Sequence, residues 1–145
     1  MSEANKKLVR EMFERVWNGE DAPSVVKATR AEDAVSRGLG AESLRNQDEY
    51  LSFVHLVKSV LKETRVEVHE TIAERDLVSM HATLRGKTYG GKPVTVMGIG
   101  IVKVENGKVV QAWNSWDGLA LQAQLGVTGA TSIEGVLRFA AKQST

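Results

Sequence analysis

Residues 93–118 read PVTVMGIGIVKVENGKVVQAWNSWDG, and the way this stretch folds decides the rest of the chain. Its first twelve residues are almost continuously apolar, as in a central strand covered on both faces. Glu105-Asn106-Gly107-Lys108 then supplies Asn-Gly, the strongest short hairpin signal, and returns the chain into a second strand over 108–116. Asp117-Gly118 ends that strand. Residues 119–125 read as a short helix closed by Gly126.

Working outward, the two preceding segments also repeat every second residue. Val66, Val68 and Ile72 alternate over 65–73, and Val78, Met80, Ala82 and Leu84 over 77–86, with Glu74-Arg75 as a tight turn between them. Four strands in succession make a curled antiparallel sheet. Before residue 64 the period is near four. Leu8, Met12, Phe13, Val16 and Trp17 mark a helix over 3–18. Asp21 followed by Pro23 opens a second over about 22–29, and 33–37 read as a short strand. Asn46 with Glu49 starts a third over about 46–63, whose apolar stripe is Tyr50, Phe53, Val54, Val57, Val60 and Leu61. Past Gly126, Thr131 with Glu134 opens a final amphipathic helix over 132–142. The pattern predicts one α+β domain over 1–145, in which helices cover one face of a bent sheet. Such a cone has an apolar interior open at one end, the kind of space small-molecule sites favour.

Composition narrows the function classes. Lysine and arginine (19) nearly balance aspartate and glutamate (18) with no run of like charge, so a phosphate-tracking surface is not expected and nucleic acid is an unsuited partner. The absence of cysteine removes disulfides, thiol catalysis and thiolate metal sites. No apolar run approaches the ~20 residues of a membrane span, and the first residues lack an apolar signal core, so the expectation is a soluble cytoplasmic protein without a membrane partner. Gly86-Lys87-Thr88 lacks the earlier glycine of a phosphate loop, Gly98-Ile99-Gly100 lies inside a strand, and no Gly-x-Ser-x-Gly elbow is present.

The candidate chemistry gathers near Asp117. An aspartate before glycine at a strand-to-helix junction is a standard helix cap. The same carboxylate beside Trp113 and Trp116 in an apolar cavity would have its proton affinity raised toward the range of general acid/base work. Both roles stay open on the residues alone. In an unbroken strand Gln111, Trp113 and Asp117 share a face. With Trp17, Tyr50, Met97 and His81 they make up the expected substrate pocket, although alternation does not say which face of its strand His81 occupies. With a two-residue Glu74-Arg75 turn His69 falls opposite Met80 and His81 opposite Val68, on opposite faces, whereas a third residue in the loop makes the two histidines direct neighbours; no carboxylate or third histidine at a suitable spacing completes a metal set. Arg37 is a candidate clamp for an acidic group. The apolar strand 93–104 calls for a second subunit over its other face, because one helical layer covers only one side of a sheet.

Asn106-Gly107-Lys108-Val109-Val110, then Trp113, Asp117, Leu121 and Gln124-Leu125-Gly126, resemble the closing signature of the SnoaL-like polyketide (ester) cyclases of the nuclear transport factor 2-like superfamily. The likeness extends over about residues 5–126, leaving 127–145 as a C-terminal helical extension. It implies a cone-shaped, cystatin-like α+β barrel whose curved sheet wraps around N-terminal helices, a dimer or tetramer, and no metal or organic cofactor. It also implies acid/base chemistry on a hydrophobic small molecule, closing or isomerising a carbonyl compound, with Asp117 at the position of the proton-transferring aspartate. The same fold also carries non-catalytic binding or assembly modules, ketosteroid-isomerase-like enzymes and epoxide hydrolases, and fold alone does not choose among them.

Overall fold

The structure is a computed structural model that describes residues 2–19, 21–127, 129 and 132–143. Ten elements follow in order: α1 (Ser2–Trp17), α2 (Ala22–Thr29), β1 (Arg30–Arg37), α3 (Gln47–Val60), β2 (Leu61–Glu74), β3 (Leu77–Thr88), β4 (Pro93–Glu105), β5 (Lys108–Trp116), α4 (Gly118–Leu125) and α5 (Ile133–Gln143). The strands form one sheet in the order β1-β5-β4-β3-β2. β2 to β5 are the expected antiparallel meander, and β1 adds a parallel edge against β5. The sheet is therefore mixed. No helix among the described residues is long and apolar enough to cross a membrane.

Local chemistry sets the boundaries. Asn46 caps α3 by accepting from the Glu49 backbone N–H at 2.8 Å. Asn106 and Gly107 both have positive φ, 52° and 72°, the condition for a two-residue primed turn whose twist matches its strands. The Thr131 part of the last capping pattern lies outside the described residues, and Ser132 Oγ accepts from the Gly135 N–H at 3.0 Å.

Three expectations need correction. Helix three stops at Val60, and Leu61 already belongs to β2, because an apolar Val60-Leu61 pair fits the end of one period and the start of the other. The β2–β3 turn is Arg75-Asp76, since Glu74 pairs with Leu77. A register shift between Val68 and Glu70 then sets Glu70, not Val68, opposite His81. His69 and His81 therefore become neighbours, with ring centroids 4.9 Å apart.

The core lies between the helices and the inner face of the sheet. Along β4 the pattern alternates strictly, with Val94, Val96, Val102 and Val104 buried while Met97, Ile99 and Ile101 face outward and are exposed. The chain itself thus covers β4 on one face.

Candidate functional site

Beneath the helices is a partly open cavity of about 60 Å³, room for a few water-sized groups. Its walls are chiefly apolar: Phe13 and Trp17 of α1, Phe53 and Val57 of α3, Val96 of β4, and Ile133 and Leu137 of α5 all line it. Four polar side chains also line it, Arg30, Ser36, Tyr50 and Asn114.

Arg30 occupies the junction of α2 and β1. Its N–H closes α2 on the Val26 carbonyl, and its own carbonyl accepts from Gln47 Nε2 at 2.9 Å. Pinned at both ends, the residue sends its guanidinium inward, where it is 2% exposed. One Nη donates to Ser36 Oγ at 2.7 Å, the other meets the Met12 sulfur at 3.9 Å, and the group stacks on the Tyr50 ring at 4.0 Å. Ser36 is held by a reciprocal pair of backbone bonds with Leu44. Burial pulls the Arg30 guanidinium below its usual value, with Tyr50 opposing. Burial likewise pushes the Tyr50 phenol up, with Arg30 opposing. Tyr50 therefore stays a neutral hydrogen-bond donor at physiological pH.

Trp116 closes the cavity on the sheet side. It lies opposite Gly98 of β4, and a Cβ at Gly98 would stand 2.3 Å from the indole, so only glycine lets the ring lie across the strand. Asn114, Trp116 and Ile133 also line a surface cleft between α4 and α5. These three side chains form the partition between cavity and solvent.

The structure divides the residues expected to form the pocket. Trp17 and Tyr50 line the cavity. Gln111, Trp113, His81 and Met97 do not, because the inner face of β5 is Ala112, Asn114 and Trp116, and His81 pairs with outward-facing Ile99. On the outer face Arg37 donates to Gln111 Oε1 at 2.9 Å and lies 5.5 Å from the Trp113 ring, so it serves these two side chains. His81 meets Glu70 at 3.1 Å, and His69 meets Thr83 Oγ1 at 2.7 Å. Asp117 lies one residue past β5, its N–H still donating to the Met97 carbonyl at 2.9 Å. Its carboxylate is exposed and accepts from the Ala120 N–H at 3.0 Å as the cap of α4, so the shared face drawn through an unbroken strand does not reach it. Arg30 and Ser36 were not singled out from sequence, because an arginine at a helix end and a serine in a short strand read as solvated.

The family profile of the SnoaL-like polyketide cyclases matches residues 7–125. The chain belongs to this family. A search of curated proteins finds no match. Among solved structures, a protein of Jannaschia sp. CCS1 described as a SnoaL-like polyketide cyclase superposes with a TM-score of 0.78 at 19% identity, over 88% of this chain and 95% of that one. IdmH of Streptomyces antibioticus, described as a polyketide cyclase, gives 0.74 at 20% identity over 85% and 99%. A Catenulispora acidiphila protein with a ketosteroid isomerase-like fold gives 0.72 at 15% identity over 84% and 94%. At these identities the likeness establishes the fold.

The SnoaL-like signature can be followed atom by atom. Asn106-Gly107 is the turn and Asp117 the cap. Gln124 bonds both backbone groups of Thr95, each at 2.8 Å, and so continues the β4 ladder where β5 has ended. Gly126 closes α4 in the left-handed conformation. Beyond the matched residues, α5 adds Ile133 and Leu137 to the cavity wall.

Proposed function

We propose that this SnoaL-like chain is a small-molecule enzyme that binds an apolar carbonyl compound in the cavity beneath the helices and closes or isomerises it by acid/base chemistry. The supporting observation is the polar corner of an otherwise apolar space, where Tyr50, Ser36 and Arg30 converge. There a neutral phenol donates a hydrogen bond to the carbonyl oxygen, and a buried cation favours the negative charge that grows on it as an enolate forms. Fixed donors of this kind act most strongly where water is excluded. The family resemblance assigns proton transfer to Asp117, whose carboxylate lies outside the cavity as the cap of α4, so this role requires the start of α4 to open toward the substrate.

A second reading, a non-catalytic small-ligand module, is favoured by the engagement of Asp117 as a cap and by the absence of any carboxylate or histidine among the described residues lining the cavity. Turnover by the native chain separates the two, and Asp117→Asn then tests the aspartate itself, because asparagine caps as well as aspartate does. In a screen of enolisable ketones, polyketide methyl esters and small epoxides, the enzyme reading expects turnover. It expects kcat to fall by about 10²–10⁴-fold in the variant with KM and Tm held. Turnover unchanged by the substitution leaves Asp117 a cap alone.

A further inference from the structure

Arg30 is an unusual side chain to find at the heart of this core. It is 2% exposed, no carboxylate among the described residues lies within ion-pair reach of it, and its Nε is a buried donor with no partner. Arginine carries five N–H donors, and here one oxygen, Ser36 Oγ, and one thioether, Met12 Sδ, answer them. Buried charges are ordinarily paired, because an uncompensated ion in an apolar setting is costly. The stacking of the guanidinium on Tyr50 offsets part of this cost but satisfies no N–H. The unanswered donor belongs to a residue that lines the cavity.

We propose that the cavity takes a ligand carrying a carboxylate, whose two oxygens pair with the Nε edge of Arg30 while an apolar tail lies among Phe13, Phe53 and Leu137. This deepens the proposed function and rests on the cavity being the ligand site. A planar carboxylate matches the guanidinium fork, which binds two oxygens through parallel N–H bonds. Ser36 keeps the fork oriented from one side and the Tyr50 ring fixes its plane from another. Neutrality is restored when the acid enters, so the site selects acids over isosteric neutral compounds, and the apolar walls select those with a hydrocarbon end. Entry runs through the Asn114–Trp116–Ile133 partition. The volume beneath it is small, about 60 Å³, so a longer tail displaces these side chains or α5.

The test compares hexanoate with hexanamide, which share a tail and differ in charge, by NMR titration of the whole chain. Hexanoate should bind about tenfold or more tightly, the scale of a net charge-assisted hydrogen bond, and shift the backbone signals of Arg30, Ser36 and Tyr50. In Arg30→Met that preference should vanish while hexanamide binding persists and Tm holds or rises, since removing an unpaired buried charge is neutral or stabilising. Arg30→Lys, which keeps the charge but not the fork, should retain part of the preference and serves if the methionine variant fails to fold. Equal affinity for the two compounds, or a preference that survives Arg30→Met, overturns the carboxylate assignment alone. If neither compound shifts a cavity residue, both the carboxylate assignment and the cavity as ligand site fall.

Discussion

At the scale of single residues, the site depends on how burial acts on two neighbours. Tyr50 is held neutral by burial, with Arg30 opposing, which makes the stability of the fold depend on alkaline pH in a definite direction. Below the ordinary tyrosine value of about 10 the phenol is protonated in folded and unfolded chains alike. Above it the unfolded chain releases its proton first while the folded chain retains it, so stability falls as pH rises through that window. Denaturant titrations between neutral and strongly alkaline pH should show a steeper loss for the native sequence than for Tyr50→Phe, and parallel curves would remove Tyr50 from the account. The sequence marked Tyr50 as a pocket residue through its place in an apolar stripe. It gave no such mark to Arg30, because the run Arg30-Ala31-Glu32-Asp33 follows no period and its burial depends on where β5, 79 positions away at Val109, pairs with it.

At the scale of elements, β4 and β5 illustrate both what could be read and what could not. The Asn-Gly turn, the alternation of β2 and β3 and the caps of α3 and α4 are local, and they stand where local chemistry puts them. Which face of β5 points inward is a tertiary matter, settled by the room that Gly98 leaves for Trp116 and by the pairing of outward Ile101 with Trp113. The residues that carried the family likeness proved to be those that end β5, cap α4 and extend the β4 ladder, which is why membership was legible and the contents of the cavity were not. Gly98→Ala should destabilise the fold by about 1–3 kcal/mol through overpacking, and adding Trp116→Ala should recover part of that loss in a double-mutant cycle. Additive effects in urea unfolding would mean that the indole does not depend on the glycine.

At the scale of the whole molecule, the helices cover one face of the sheet and leave Met97, Ile99, Ile101 and Trp113 on the other. We propose that a second copy of the chain covers this face, because contiguous exposed apolar residues at the centre of a sheet are uncommon on a monomer. Sedimentation at micromolar concentration should show a dimer or larger assembly that Ile99→Lys with Ile101→Lys converts to monomer, whereas a native chain that sediments as a monomer contradicts the proposal. That outer face also holds the Gln111, Trp113, His81 and Met97 of the sequence-based pocket, so the side chains first assigned to a ligand are those the second subunit would meet. The proposed ligand site lies on the opposite side of the sheet, in the cavity beneath α3 and α5. A crystal structure of the protein grown with a small aromatic ketone such as 1-indanone tests this most directly. The account predicts the ketone inside the cavity, its oxygen within hydrogen-bond reach of the Tyr50 hydroxyl and its ring against Phe53 and Trp116. A ketone bound only on the outer face of the sheet, with the cavity empty, would contradict it.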